Sequence, residues 1–371
     1  MRLLPHQQKL ALGFALAMAG APCARPASGS IKADEAVDIY PAFATLATNP
    51  LGQTVWRAPV HFRVYEPAAG ALPAWSLRRV FGLSDEDLSA AEKILFRQRV
   101  NLFLNDNERG KTLRLALGDQ EFDCGPTQPN GHFRGTVEWP GLSRQNETPA
   151  RGGKTGWMTW RATGGMAGTN LTGRVAPLAP AGWAVISDID DTIKVSEVRN
   201  KRALLLNTFA RPYQPVPGMA GVYQQWDRQT NLAFIYLTAS PWQLYQPLHG
   251  FLAENGFPDG VMEMRHFRLQ DGTFLDLFKS PANYKAPAIL RWLSQLPERR
   301  FILVGDSGEM DPEIYGTIGR HYPTQVQRIY IRDVSGESRE APRYQKAFDG
   351  LAPDRWRIFR DPAELLTNSP F

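Results

Sequence analysis

The stretch that decides the fold is Trp183-Ala-Val-Ile-Ser-Asp-Ile-Asp-Asp-Thr192, in which an apolar strand runs directly into three carboxylates. In an extended strand, residues two apart share a face, so Asp188 and Asp190 are expected to reach one site. Unpaired carboxylates this close repel one another, and a divalent cation is the simplest partner that would offset their charge. The alternative interpretation is a charged turn in which Asp191 or Thr192 caps the next helix.

Two further apolar runs, 232–237 and 300–304, have a similar composition and are separated by segments with helical patterns. The helix-like segments are 218–226, 242–255 and 285–296. Continuous apolar strands that alternate with helices indicate a parallel sheet covered on both faces. Residues 179–371 are therefore predicted to form an α/β domain with a doubly wound parallel sheet, whose active site lies at the carboxyl ends of its strands.

Residues 31–178 have a different sequence pattern, with short strand-like segments separated by Gly, Pro and Asn. The clearest segments are 54–65, 112–117, 132–139 and 156–161. They predict a smaller β-sandwich-like domain that precedes the α/β domain. One helix is expected over 88–105, because Ser84-Asp-Glu-Asp87 places acidic residues ahead of apolar residues with helical spacing.

The N-terminus has the features of a secretory signal, since Arg2 and Lys9 precede the apolar run 10–19. Residues 1–30 are accordingly predicted to be a signal peptide and linker, and the protein to be periplasmic or secreted. The alternative is a retained helix, buried or anchoring, although the run is shorter than a membrane span requires. Two cysteines exclude a disulfide scaffold, and a formal net charge of +5 is too small to indicate a partner by itself.

Polar side chains also follow the other two apolar strands of the predicted sheet. The hydroxyls of Thr238 and Ser240 come after the second strand, where they can hydrogen-bond an anion. Asp306 and Asp311 flank a glycine-containing turn after the last strand, and Lys285 opens the preceding helix. Each of these groups taken alone has a plainer explanation, an N-cap for the hydroxyls and a solvated side chain for the lysine.

This order of carboxylates, hydroxyl, lysine and carboxylates resembles the four-motif signature of the haloacid dehalogenase superfamily of phosphotransferases. Segments 186–194, 236–245 and 301–315 are similar, more closely still, to the catalytic domain of the actin-patch-protein type of Mg-dependent phosphatidate phosphatase. The resemblance covers about the last half of the chain. It implies a haloacid dehalogenase-like fold and a Mg2+ cofactor.

The resemblance also implies a role for each acidic residue. Asp188 would be the nucleophile that forms an aspartyl-phosphate, and Asp190 would be the general acid and base. Mg2+ would be held by Asp188, by the backbone carbonyl of Asp190 and by Asp306, with Asp311 as a further or water-mediated ligand. Asp191 would support the neighbouring site residues without contacting the reacting groups itself.

The remaining implied roles concern the phosphate group of the substrate. Thr238 and Lys285 would bind its oxygens, where charge accumulates in the transition state. Ser240 competes with Thr238 for this role, and Lys279 is a rival to Lys285. Thr192 is the other residue expected to contact the substrate.

The function implied is dephosphorylation of phosphatidate to diacylglycerol through an aspartyl-phosphate. Residues 195–230, which mix basic residues with leucines, are a candidate cap that could touch a lipid surface, although core leucines and solvated charges are the favoured explanation because no clean amphipathic helix emerges. The alternatives are a phosphatase for another, soluble phosphomonoester and a non-catalytic protein that binds the envelope.

Other classes of function are excluded by the sequence. The six histidines are scattered and have no spacing typical of a histidine metal site. There is no G-x-S-x-G elbow of a serine hydrolase, and the basic residues do not form an organised surface for a nucleic acid.

Overall fold

A computed structural model describes residues 29–69, 85–140, 156–163, 171–230, 232–266, 282–367 and 370–371. The expected signal sequence falls within residues 1–28, outside these ranges, so export stays a prediction. Within the described ranges, no helix combines the length and the apolar character needed to cross a membrane.

Nine strands in the N-terminal part of the chain join in one sheet. They are β1 Ala36–Ile39, β2 Ala42–Thr48, β3 Thr54–Glu66, β4 Asp106–Asn107, β5 Leu113–Leu117, β6 Gln120–Cys124, β7 His132–Pro140, β8 Met158–Thr163 and β9 Thr172–Leu178. Their order is β1-β3-β2-β9-β8-β5-β6, and β4 and β7 also pair with β3. Alternate residues of β3 are buried, which gives the sheet one apolar face.

This sheet curls so that strands far apart in its order pack against each other. The rings of Trp139 on β7 and Trp160 on β8 lie 5.7 Å apart, although β3, β2 and β9 separate these strands in the sheet. Phe122 on β6 packs edge-on against Trp160 at 5.7 Å. The aromatic rings therefore fill a core enclosed by the sheet itself.

The helix expected over 88–105 is shorter in the structure and forms α1, Ala90–Asn101. Its start is set by Ser89, whose hydroxyl accepts a hydrogen bond from the Glu92 amide while the Glu92 carboxylate accepts one from the Ser89 amide. This reciprocal capping box satisfies amides that the first helical turn leaves free. The acidic residues proposed as the start instead form a separate 3-10 turn, Asp85–Asp87, and Ser84 lies outside the described residues.

The C-terminal part is an α/β structure with a six-stranded sheet. Its strands are β10 Gly182–Asp188, β11 Leu232–Pro241, β12 Gly260–Arg265, β13 Arg299–Asp306, β14 Val326–Arg332 and β15 Trp356–Phe359. The order is β12-β11-β10-β13-β14-β15, and every neighbouring pair is parallel. The predicted α/β class with a parallel sheet is therefore confirmed. The central strand, β10, places its carboxyl end between those of β11 and β13.

Helices cover this sheet on both faces. They are α2 Lys201–Phe209, α3 Met219–Gln229, α4 Tyr245–Glu254, α5 Ala282–Gln295, α6 Asp311–His321 and α7 Pro342–Ala347. Val185 of β10 belongs to the same apolar cluster as Trp226 of α3, whereas its neighbour Ile186 belongs to the cluster that contains Ile289 of α5. Side chains that alternate along β10 thus enter different cores, as in any sheet buried on both sides.

The two sheets pack against each other through aromatic and polar contacts. Tyr40, which follows β1, has its ring 4.3 Å from that of Trp242, and Arg174 of β9 forms an ion pair with Asp259 at 2.7 Å. The guanidinium of Arg99 in α1 donates hydrogen bonds to the Thr208 carbonyl at the end of α2. The N-terminal part therefore supports the elements that surround the carboxyl edge of the parallel sheet.

Candidate active site

Asp188 is the last residue of β10 and is only 1% exposed. One of its carboxylate oxygens, Oδ1, lies 2.8 Å from Nζ of Lys285. The other, Oδ2, accepts a hydrogen bond from the Thr192 hydroxyl at 3.0 Å. Thr192 was expected to contact the substrate, but the structure places its fully buried hydroxyl on Asp188, where it orients that carboxylate.

Asp190 points to a different set of partners. Its Oδ1 lies 2.8 Å from Nζ of Lys194 and accepts a hydrogen bond from Ser196 at 2.7 Å. Its Oδ2 accepts one from Thr238 at 2.9 Å. Burial disfavours the ionised form, but Lys194 and the two hydroxyl donors outweigh burial and lower the pKa of Asp190 below its ordinary value.

Asp191 adopts a left-handed backbone conformation, with φ of 56°. Its carboxylate accepts hydrogen bonds from the backbone amides of Ser196, Glu197 and Val198. Asp191 therefore organises the loop after β10, as its expected supporting position suggested. It does not cap a helix, because α2 begins after Asn200, whose side chain accepts from two amides of the first turn.

The carboxylates of Asp188, Asp306 and Asp311 come together at the carboxyl edge of the sheet. Each offers an oxygen atom, these atoms lie within 4.8 Å of one another, and all three residues are buried. Oδ2 of Asp306 is buried and receives no hydrogen bond from the described residues. A set of oxygen donors with an unpartnered carboxylate oxygen fits a hard divalent cation. The side chain of Asp190 is committed elsewhere, so only its backbone carbonyl could join this set.

The electrostatics of the cluster favour a bound cation. Burial, together with the nearby carboxylate of Asp311, raises the pKa of Asp306 well above its ordinary value. Burial also raises the pKa of Asp188 well above its ordinary value, although Lys285 acts in the opposite direction. Buried carboxylates that repel one another gain free energy from an additional positive charge, so a divalent cation would return these groups to their ionised forms.

Lys285 of α5 reaches the centre of this cluster and is 1% exposed. Besides Asp188, its Nζ contacts Asp311 at 2.7 Å and Glu309 at 3.0 Å. Glu309 was not singled out in the sequence, although it lies in the same turn as Asp306 and Asp311. Lys279, the rival to Lys285, lies outside the described residues.

The structure distinguishes the two hydroxyls that follow β11. The Thr238 hydroxyl donates to Asp190 and accepts a hydrogen bond from the Ser240 amide at 3.0 Å, so it is already engaged. Ser240 lines the cavity beside Asp188 and Asp190, whereas Thr238 does not. Ser240 is therefore the better placed of the two for a substrate oxygen.

The cavity above these carboxylates has a volume of about 260 Å³. Its polar floor is formed by Asp188, Asp190, Ser240 and Glu309. Its walls are largely apolar and include Val198, Leu204, Phe209, Pro241, Leu244 and Met310, while Lys201 adds a positive charge. Of the leucines in the candidate cap, Leu205 and Leu206 belong to the core, and Leu204 faces the cavity.

Comparisons with known proteins agree with this site. Residues 183–333 match the family model of the catalytic domain of phosphatidate phosphatase APP1. The chain is 33% identical to phosphatidate phosphatase APP1 of Saccharomyces cerevisiae over 172 residues, which are 46% of this chain and 29% of the yeast protein. It is 31% identical to an uncharacterized protein of Schizosaccharomyces pombe over 163 residues, 42% of this chain and 26% of that protein.

These matches span less than a third of the length of either relative. The family-model match includes Asp188 and Asp190 after β10 and the carboxylates of Asp306 and Asp311, which approach Asp188. The family resemblance predicted from the three sequence motifs is thus confirmed for this part of the chain. Residues 183–333 are similar to the catalytic domain of phosphatidate phosphatase APP1.

Proposed function

We propose that this protein is a Mg2+-dependent phosphatase that hydrolyses phosphatidate to diacylglycerol through an aspartyl-phosphate on Asp188. The observation that carries the proposal is the buried contact of Asp188 with Lys285 beside Asp306 and Asp311, in a domain of the APP1 type. Catalytic groups on neighbouring strand ends are the usual arrangement of α/β enzymes. The yeast relative is a phosphatidate phosphatase by name, which supports the choice of substrate.

The proposal includes the fold and its organisation into domains. We assign residues 179–371 to a haloacid dehalogenase-like, doubly wound catalytic domain, and the parallel sheet with helices on both faces supports this. We assign residues 31–178 to a β-sandwich-like accessory domain, supported by the curled sheet around Trp139 and Trp160.

In the first half of the reaction, a carboxylate oxygen of Asp188 attacks phosphorus, and the bond from phosphorus to the leaving alkoxide breaks. Asp190 donates a proton to that alkoxide, which leaves as the alcohol. The contacts of Asp190 favour its ionised form in the free protein, but an arriving phosphate anion favours the protonated form. Lys285 stabilises the negative charge that develops near Asp188.

In the second half, water attacks the phosphorus of the aspartyl-phosphate, and the bond to Asp188 breaks. Asp190 takes a proton from this water, so the carboxylate and the acid are both restored and inorganic phosphate is released. Ser240 contributes a hydroxyl to the phosphate oxygens from the cavity wall, and Thr238 holds Asp190 in place.

The metal would be held by Asp188, Asp306 and the backbone carbonyl of Asp190, with Asp311 as a further or water-mediated ligand. When bound, Mg2+ supplies positive charge that offsets the repulsion between the anionic nucleophile and the anionic phosphate. Oxygen ligands and retained waters are what this ion prefers, and all the candidate donors are oxygens.

The walls of the cavity support a lipid as the substrate. A volume of about 260 Å³ holds a phosphate and a glycerol unit, and Leu204, Phe209 and Met310 offer apolar surface to the start of an acyl chain. Met310 is 47% exposed. We therefore propose peripheral contact with a membrane at this rim and, from the N-terminal sequence, a periplasmic or secreted location.

The proposal is tested by phosphate release from phosphatidate in detergent micelles and from soluble phosphomonoesters such as glycerol 3-phosphate. Each assay is run with Mg2+ or EDTA, on the wild type and on Asp188→Asn. We expect Mg2+-dependent release that prefers phosphatidate and falls by at least about 10³-fold in Asp188→Asn, because the nucleophile is lost. A preference for soluble esters would mean that the substrate is a soluble phosphomonoester and not phosphatidate. Inactivity of the folded protein on all esters would favour the non-catalytic binding protein.

A further inference from the structure

We propose that Lys194 is a positioning residue that fixes the carboxylate of Asp190 and selects the oxygen with which Asp190 exchanges its proton. This inference rests on the proposed phosphatase function. A carboxylate oxygen has two lone pairs, and Oδ1 of Asp190 already receives two donors, Lys194 and Ser196. Among the described residues, Oδ2 receives only the Thr238 hydroxyl, so Oδ2 retains a lone pair for the proton.

A tight backbone turn places Lys194 beside Asp190. The Lys194 amide donates to the carbonyl of Ile189 at 2.9 Å, and the Asp191 amide donates to the carbonyl of Lys194 at 2.7 Å. These hydrogen bonds bring residues 190 and 194 into a bridge, so the distance between their side chains is set by the backbone. The salt bridge of 2.8 Å therefore does not depend on a chance side-chain conformation.

The surroundings of Lys194 leave its ammonium little freedom. The residue is 1% exposed, its Nζ contacts the Ser196 hydroxyl, and it lies 5.0 Å from the centre of the Tyr213 ring. A buried charge is costly unless it is paired, and Asp190 is the only carboxylate paired with Lys194 in the described part of the chain. A functional role of Lys194 at the reacting carboxylate of Asp190 would explain why the protein bears the free-energy cost of burying this charge.

Tyr213 is itself fixed by elements from both halves of the chain. Its hydroxyl donates to the carbonyl of Thr208 at 3.2 Å, and the guanidinium of Arg99 stacks 3.8 Å from its ring centre. The Val195 amide donates to the carbonyl of Gln214, which holds the segment after Lys194 against the segment that carries Tyr213. The lysine is therefore enclosed by a rigid wall.

The site contains a separate buried lysine for each of its two reacting carboxylates. Lys285 contacts Asp188 at 2.8 Å, and Lys194 contacts Asp190 at the same distance. The motif resemblance assigns a role only to Lys285. Since the two lysines hold different carboxylates, they are expected to affect different steps: Lys285 the attack on phosphorus, and Lys194 the transfer of the proton.

The test compares two esters that differ in their need for that proton. The alkoxide released from short-chain phosphatidate must be protonated, whereas p-nitrophenolate leaves readily without a proton. In single-turnover measurements of leaving-group release, we expect Lys194→Met to slow the phosphatidate reaction by about 10- to 100-fold, part of the 10²- to 10⁴-fold that general acid catalysis provides. We expect less than about a threefold change with p-nitrophenyl phosphate and KM values within about twofold, since Lys194 does not contact the substrate.

A double-mutant cycle shows whether Lys194 acts through Asp190. Adding Lys194→Met to Asp190→Asn is expected to slow the phosphatidate reaction by less than about twofold more, because the group that Lys194 positions is already lost. Lys111→Met is the matched control, since Lys111 is also buried and paired with a carboxylate, Glu35, in the N-terminal sheet. It is expected to lower the melting temperature but to leave the ratio of the two rates unchanged.

Two milder variants keep the test decisive if Lys194→Met does not fold. Ser196→Ala removes one donor from Oδ1 of Asp190 and is expected to change the ratio of rates in the same direction, by about three- to tenfold. Lys194→Arg retains the charge and is expected to recover part of the phosphatidate rate. Equal losses with both esters, or fully additive losses in the cycle, would overturn the role of Lys194. A wild type inert towards both esters would instead overturn the proposed function, and this inference with it.

Discussion

Nζ of Lys285 lies 2.8 Å from Oδ1 of Asp188 and ties helix α5 to the end of the central strand β10. The same ammonium contacts Asp311 and Glu309, so one buried cation holds three carboxylates. Burial disfavours its charge, but these carboxylates outweigh burial and raise the pKa of Lys285 well above its ordinary value. Lys285 therefore serves both the reaction proposed here and the stability of the site.

Replacing Lys285 by methionine should lower both activity and stability. We expect kcat to fall by about 10²- to 10³-fold, comparable to the loss of one donor that stabilises transition-state charge. The melting temperature should also fall, because the buried carboxylates of Asp188 and Asp311 and the half-buried carboxylate of Glu309 lose their counter-charge. Steady-state kinetics at saturating Mg2+ and a thermal melt measure both effects. Lys285→Arg, which keeps the charge, should melt closer to the wild type, and a Lys285→Met enzyme within about threefold of wild-type activity would contradict the assignment.

Replacing Asp306 by asparagine should separate metal binding from folding. Without metal, the variant is expected to be more stable than the wild type, since one of the repelling buried carboxylates is removed. It should gain little melting temperature from Mg2+, whereas the wild type should gain several degrees from saturating metal. Melts in EDTA and in Mg2+ provide a readout that does not depend on activity. Asp349→Asn, an exposed site, is the control and should keep the wild-type response to Mg2+.

The contact between α1 and α2 should influence the cavity. The guanidinium of Arg99 donates to the carbonyls of Thr208, in the last turn of α2, and Arg211, just beyond the helix. Arg99→Ala would leave the Arg211 carbonyl without this donor and the Thr208 carbonyl with only the Tyr213 hydroxyl among the described side-chain donors, and should reduce the free energy of unfolding by about 1–3 kcal/mol. Because Leu204 and Phe209 of α2 line the cavity, KM for phosphatidate should rise more than kcat falls. Denaturant unfolding and steady-state kinetics test this, and an unchanged KM would show that α1 does not shape the cavity.

Stability should fall at acidic pH because of His61 at the junction of the two sheets. Its Nε2 lies 2.9 Å from Nδ1 of His132, and burial, with the charges of Arg134, His132 and His266, lowers the pKa of His61 well below its ordinary value of 6.5. Below pH 6.5 the unfolded chain therefore binds a proton that the folded protein does not. The free energy of unfolding should then decrease by up to about 1.4 kcal/mol per pH unit as the pH falls further.

Denaturant unfolding of the wild type and of His61→Gln between neutral and acidic pH measures this dependence. The variant lacks the titrating ring, so its free energy of unfolding should change less over the same range. His321→Gln, at an exposed position at the end of α6, provides the control for replacing a histidine. Identical slopes for the wild type and His61→Gln would contradict the prediction.

Local patterns in the sequence were sufficient to predict the apolar strands at β10, β11 and β13 and the carboxylates that follow them. Each of these strands is a continuous apolar run, a pattern that burial on both faces imposes directly on the sequence. Strands β12 and β14 were not anticipated, because Glu263 interrupts the apolar run of β12 and Arg328 that of β14. The helix α1 was found with the wrong ends, since the hydrogen bonds of Ser89 and Glu92, rather than the acidic residues before them, decide where it starts.

The sequence by itself determined which chemical groups are present: the carboxylates after β10, the acidic turn after β13 and the motif order that resembles a phosphatidate phosphatase catalytic domain. Only the tertiary structure decided which oxygen each group meets, because partners such as Asp188 and Lys285 are brought together by strand order and not by spacing along the chain. It also paired Lys194 with Asp190 and gathered His61, His132 and His266, three of the histidines that look scattered in the sequence. The physical reason is that hydrogen bonds and ion pairs depend on distances of about 3 Å, which a one-dimensional pattern does not specify.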